Sequence, residues 1–186
     1  MGVGIEKPLL QVSGRSMLQS VIEVLKRSSS VERIVVASSP NTPLTGIEAG
    51  KLDVENIVTP GGGFEEDMRF AIHRLSLGDV LVISSDLPFV TVEIIEQAAQ
   101  KYRSSRKPAL AVMARLEIYE KLGAKPEYVF KVDGQNLVPV GINIIDGRRI
   151  DEGALDQVDL VIDSADVAFN VNTPNELEAA RKHSTK

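Results

Sequence analysis

Residues 80–90 read VLVISSDLPFV, and this stretch decides the fold class. Apolar side chains fill every position from Val80 to Ile83, where a strand with one wet face would alternate apolar and polar residues. An unbroken run of this kind marks a strand covered on both faces, as in a parallel sheet flanked by helices. Asp86 follows the run, and Pro88 then turns the chain toward a helix, so a carboxylate stands at the strand's carboxyl end. Ligands of open α/β sheets bind along that edge. Two readings of Asp86 are open here. It can coordinate Mg2+, a hard cation that prefers carboxylate and phosphate oxygens, or it can cap the turn before Pro88. The strand-end position favours the metal.

Working outward, further β-rich runs occur at residues 33–38, 56–59, 109–114, 128–132 and 137–145. Helical spacing fills most gaps between them. Met17, Leu18, Val21, Ile22 and Leu25 share one face, as do Met68, Ala71, Ile72 and Leu75, and again Ile95, Ala98, Ala99 and Tyr102. Strands alternating with helices predict an α/β fold, doubly wound around a mostly parallel central sheet. A last helix begins at Thr173, with Pro174 in its first turn and Glu176 three residues after the cap. Residues 115–136 are polar and rich in turn formers, which suits a substrate lid. Asp159, Asp163 and Asp166 read as separated, solvated acids of a polar loop rather than a metal site.

The composition narrows the function. A chain of 186 residues fits one domain, spanning 1–186. It has no cysteine, which excludes a disulfide framework, a thiolate zinc site and a cysteine nucleophile. No apolar run approaches the roughly 20 residues needed to cross a bilayer, and the start MGVGIEKPLL lacks the pattern of a secretory signal. A cytoplasmic location is therefore expected. A net charge of -5 argues against a broad nucleic-acid surface and leaves a small phosphorylated ligand as the expected partner. His73 and His183 have no triad partner, and Ser84 and Ser85 lack a G-x-S-x-G elbow, so acyl transfer is disfavoured.

Other segments can carry phosphate chemistry. In TPGGGFEEDMRF, Gly61, Gly62 and Gly63 follow a short strand and open a helix, so their amides can approach an anion. A flexible turn needs the same glycines, and no GK[ST] follows to make a Walker loop. Lys7 can neutralise phosphate charge, with Asp86 as its expected partner, although most lysines are simply solvated. Gly141 and Asn143 lie in the strand-like VPVGINII, and Asn172 lies just before the last helix. Asn143 can bind sugar or base edges, and Asn172 can offer a carbonyl oxygen to a metal held by Asp86; ordinary turn formation is the other reading.

Taken together and in order, EKPLLQVSGRSML, IVVASSPNTP, ISSDLPFV, VPVGINII and FNVNTPNELE resemble the archaeal GTP:adenosylcobinamide-phosphate guanylyltransferases. That family is related to molybdenum-cofactor guanylyltransferases and sugar-nucleotide pyrophosphorylases. The resemblance covers nearly the whole chain and implies a single-domain, Rossmann-like nucleotidyltransferase that takes GTP, adenosylcobinamide phosphate and Mg2+. It implies Asp86 and Asn172 at the metal, Lys7 on phosphate oxygens, and Ser38, Asn41, Thr59 and Gly61 to Gly63 around the nucleotide. The phosphate of adenosylcobinamide phosphate would attack the α-phosphorus in line and release pyrophosphate, leaving adenosylcobinamide-GDP. Relatives carry an apolar strand and a glycine-rich basic loop, MAGGxGTRM, before the EKP segment. The resemblance thus implies that Met1 matches the methionine ending that loop and that the natural sequence starts further upstream. Alternatives are transfer to another acceptor, such as molybdopterin or a sugar phosphate, or nucleotide binding without catalysis.

Overall fold

The computed structural model describes residues 5–183; Met1 and the expectation attached to it lie outside them. Lys7–Leu9 forms a single 3-10 turn with Pro8 in its first positions, followed by a hairpin of β1 (Gln11–Val12) and β2 (Arg15–Ser16). Helix α1 (Met17–Arg27) starts where Ser16 Oγ accepts the Gln19 amide at 3.1 Å, and it buries the five residues named above. A second unit pairs β3 (Val35–Ser38) in parallel with β4 (Glu55–Val58) through helix α2 (Pro43–Lys51), and helix α3 (Phe64–Leu75) follows.

The larger sheet holds β5 (Asp79–Ile83), β6 (Ala109–Arg115), β7 (Phe130–Val132), β8 (Gln135–Asp146) and β9 (Gln157–Val161). Its order is β5-β8-β6-β9, with β7 also on β8. β8 runs antiparallel to β5, β6 and β7, while β9 is parallel to β6. Four of the five strands therefore point one way, as the sequence predicts, and β8 runs against them in their midst. Between β5 and β6 lies helix α4 (Val92–Ser105), capped by Thr91 Oγ1 on the Ile94 amide. Helix α5 (Leu116–Leu122) leaves the end of β6, and α6 (Pro174–His183) closes the described chain.

The main core joins Val21 and Leu25 of α1, Ile95 and Ala98 of α4, Leu110 and Val112 of β6, and Val138, Val140, Ile142 and Ile144 of β8. The even-numbered residues of β8 thus face one layer of helices. The odd-numbered Leu137 joins Ala111 and Met113 on the other face, in a separate cluster. Fully burying one such aliphatic side chain contributes about 1.5–3 kcal/mol. Two expectations are corrected here. The 80–84 run is only partly covered, because β5 bonds to β8 on one edge and, among the described residues, to no strand on the other. Asp159 is not a loop acid but belongs to β9, while the polar 115–136 segment holds the expected strand as β7 and, ahead of it, helix α5. Among the described residues no helix is long and apolar enough to cross a membrane.

Candidate functional site

Asp86 lies three residues beyond β5 and is 6% exposed. Its position is fixed from two sides. Ser84 donates its amide to the Gly141 carbonyl at 2.9 Å, which ties the strand end to β8, and the Asp86 carbonyl accepts the Val171 amide at 3.1 Å. Val171 is fully buried, so this second bond anchors the segment that carries Asn170 and Asn172 against the end of β5. Phe89 and Phe169 pack edge to face, with centroids 5.2 Å apart, and the His183 ring lies 4.5 Å from Phe169. The last helix is held to the Asp86 loop in this way, and the His183 ring is part of the packing.

Lys7 closes the group. Its ammonium donates to Asp86 Oδ2 and, at 2.6 Å, to Asn172 Oδ1. Three residues separated by 79 and 165 positions in the chain thus meet at one sheet edge. Asn172 is oriented further by its side-chain amide on Asn170 Oδ1 at 2.9 Å. Its backbone amide is accepted by Glu176, which also takes the Thr173 amide, while Thr173 Oγ1 accepts the amide of Glu176. This is the predicted capping box, and it fixes the residue immediately before the helix.

The second oxygen, Asp86 Oδ1, is buried and has no hydrogen-bond partner. Leaving a buried carboxylate oxygen unbonded costs about 1–3 kcal/mol, more when the group is ionised, so an orphan here calls for a reason. A cation is one. Asp86 supplies a carboxylate and Asn172 a carbonyl oxygen, and Lys7 already spans both with a positive charge. Mg2+ characteristically takes one or two protein oxygens and fills its remaining positions with water and phosphate. The residues present therefore fit Mg2+, even though no group of three His, Cys, Asp or Glu side chains converges among the described residues.

The nucleotide candidates gather at the carboxyl ends of β3 and β4. The Ser38 carbonyl accepts both the amide and the hydroxyl of Thr59, at 2.7 and 3.0 Å, and both residues are buried. These bonds from Thr59 to the Ser38 main chain hold the two strand ends together, and Asn41 is the exposed side chain of the three. Gly61 and Gly62 donate their amides to Asp67 Oδ1 at 2.8 and 3.3 Å, so the loop closes on its own helix. Gly63 precedes α3 with φ of 120°, a conformation open to glycine. Gly141 has φ of +81°, and a Cβ there would stand 3.1 Å from the Ser84 Cβ. Asn143 lies two residues inside that edge, opposite Val82 and Ala111, and is not bonded to the Lys7 group.

Residues 1–134 match the family model for the MobA-like NTP transferase domain. The chain belongs to that family. It is 34% identical to the adenosylcobinamide-phosphate guanylyltransferase of Methanocaldococcus jannaschii, over 95% of this chain and 88% of that protein. Its fold is similar to a CMP:2-keto-3-deoxy-manno-octonic acid synthetase complexed with CTP, with a TM-score of 0.75 at 17% identity over 96% and 91% of the two chains. It is also similar to molybdopterin-guanine dinucleotide biosynthesis protein A from Archaeoglobus fulgidus, with a TM-score of 0.64 at 18% identity over 98% and 92%. This MobA-like chain is accordingly a nucleotidyltransferase of single α/β fold.

Two residues of this transferase escape sequence reasoning. Glu6 accepts the Leu44 and Thr45 amides at 2.8 and 2.7 Å and the Thr45 hydroxyl at 2.6 Å, capping α2 from a distant segment. Burial pushes its carboxyl up, but the Thr45 hydroxyl and the two amides outweigh it and hold the group below its usual range. Since Glu6 precedes Lys7, the cap also positions the lysine. Asp67 is the other, and the acid-rich start of α3 was its one signal.

Proposed function

We propose that this nucleotidyltransferase moves GMP from GTP to adenosylcobinamide phosphate, giving adenosylcobinamide-GDP and pyrophosphate. The observation that carries the chemistry is the Lys7–Asp86–Asn172 group, with its unbonded buried carboxylate oxygen, at the carboxyl end of β5. The choice of GTP and of the acceptor is supported by the likeness to the Methanocaldococcus jannaschii enzyme over nearly the whole of both chains.

In this reading the triphosphate lies along the carboxyl edge of the sheet, from the Gly61–Gly63 loop toward Asp86. Asp86 and Asn172 would hold Mg2+, which when bound supplies positive charge against the phosphate oxygens. Lys7 presents its ammonium to the same oxygens and neutralises charge as the bonds exchange. An oxygen of the acceptor phosphate forms a bond to the α-phosphorus, the bond from that phosphorus to the β-bridging oxygen breaks, and pyrophosphate leaves with its electron pair. No protein nucleophile is required, because positioning and charge stabilisation dominate phosphoryl transfer. Asn41 and the exposed glycine backbone are assigned to the nucleoside.

The test is product analysis by mass spectrometry after incubation with adenosylcobinamide phosphate, Mg2+ and each of GTP, ATP, CTP and UTP. Adenosylcobinamide-GDP formed from GTP alone supports the assignment. Transfer only to molybdopterin or a sugar phosphate would replace the acceptor, and no transfer to any of them would overturn the function.

A further inference from the structure

β7 has an informative position. It pairs with β8 at Phe130 and Leu137, and β6 pairs with β8 at the same Leu137, so β7 must occupy the opposite edge of β8. That is the edge used by β5. The last β5-side bond to β8 is from Ser84 to Gly141, four residues along β8 from Leu137. β8 is irregular between Pro139 and Asn143, where it advances four residues against two of β6, so β7 lies in line with β5 and no more than roughly 10 Å past its end. The chain leaves β5 toward Asp86 inside that interval.

The hairpin is fixed by a two-residue turn at Asp133 and Gly134, with φ of 48° and 79°, which matches the twist of the paired strands. It presents Tyr128, Val129 and Phe130 at 60%, 47% and 51% exposure. Phe130 stands opposite Leu137, on the face of β8 that also carries Gly141 and Asn143 and is not the main core. Exposed apolar residues grouped at one end of a phosphate-binding edge mark a ligand or partner surface.

We propose that Tyr128, Val129 and Phe130 form the acceptor-recognition surface, receiving an apolar ring system whose phosphate reaches Asp86. This inference rests on reading the Asp86 group as the transfer centre. The exposed apolar side chains suit an acceptor that carries an apolar body beside its phosphate, whereas a sugar phosphate, polar throughout, offers them nothing to cover. A second copy of the chain fits less well: β7 offers only three residues for edge pairing and carries the exposed Lys131 in its middle, a charge that discourages strand addition.

The experiment is steady-state kinetics of GMP transfer, with GTP and adenosylcobinamide phosphate varied in turn, for the natural chain and for Tyr128→Ser/Phe130→Ser. Light scattering and circular dichroism accompany both. The acceptor KM is expected to rise by at least about tenfold, the loss typical of removing one or more apolar contacts, while the GTP KM stays within about twofold. Phe130→Leu, which keeps an apolar side chain, is expected to recover most of the loss relative to Phe130→Ser. An unchanged acceptor KM overturns the proposal while leaving the transfer centre intact. An equal rise in both KM values, or a dimer of the natural chain that the double variant converts to monomer, also overturns it. Absence of any transfer by the natural chain shows instead that the proposed function itself has failed.

Discussion

Asp86→Asn separates activity from stability in a way that follows from the local geometry. Asp86 gains one charge-assisted hydrogen bond from Lys7, an interaction of about 1.5–3 kcal/mol, and loses about 1–3 kcal/mol on its unbonded Oδ1. The two nearly cancel. Lys7 keeps Asn172 Oδ1 at 2.6 Å and is one-third exposed, so its ammonium is not stranded. The backbone bond from Val171 to the Asp86 carbonyl is unaffected. Stability is therefore expected to change by less than about 1 kcal/mol, which for a chain of this size is a Tm shift within about 4 °C. Transfer should fall far more, by about a hundredfold or greater, the usual cost of removing one preorganised charge from the reacting phosphates. Thermal unfolding followed by circular dichroism gives the first quantity, and pyrophosphate release gives the second. A Tm loss above about 10 °C would identify Asp86 as a structural group, and activity within about tenfold of the natural chain would remove it from the chemistry.

Glu96 predicts an acid response. Hydrogen bonds from the Ser30 and Ser28 hydroxyls, against burial and aided by the Ser30 and Ser29 amides, hold it at about 2, below its ordinary 4.5. A depressed carboxylate stabilises the fold above its unfolded pKa and loses that contribution as pH falls through the folded one. In Glu96→Gln the Tm–pH profile should flatten between about pH 4.5 and 2, and an identical acid slope in both proteins would refute the assignment. Glu6→Ala removes the cap on α2 and should cost about 0.5–2 kcal/mol. A raised KM for GTP should accompany it, because Lys7 loses its anchor; an unchanged Tm would show the cap to be inconsequential. Gly141→Ala forces a left-handed conformation at φ of +81° and meets Ser84 at 3.1 Å. A loss of about 1–2 kcal/mol is expected from denaturant unfolding, and a neutral result would mean that β8 relaxes freely.

Much of this was legible in the sequence for identifiable reasons. The strands at 109–114 and 137–145, the helix after Gly14 and the helix carrying Ile95, Ala98, Ala99 and Tyr102 announced themselves through apolar period, and each is present. The capping box at Thr173 is local chemistry and is present as written. Lys7, Asp86 and Asn172 were each readable as candidates, and the structure brings them into one hydrogen-bonded group. What local pattern does not contain was missed. The antiparallel course of β8 depends on pairing across the sheet, and the partial cover of VLVIS depends on which edges of β5 have partners. Asp159 looked like a loop acid because QVDLV is short and interrupted by a charge, yet it pairs with Ala111. Glu6 caps a helix 38 residues away, and Thr59 spends its hydroxyl on the Ser38 carbonyl, relations that chain position does not encode.

Calorimetric titration of GTP, with and without Mg2+, into the natural chain and Asp86→Asn tests the Asp86 site most directly. The geometry predicts binding by the natural chain that strengthens with Mg2+ and a Mg2+ effect that is lost in the variant. Equal GTP binding by both proteins, indifferent to Mg2+, would contradict it.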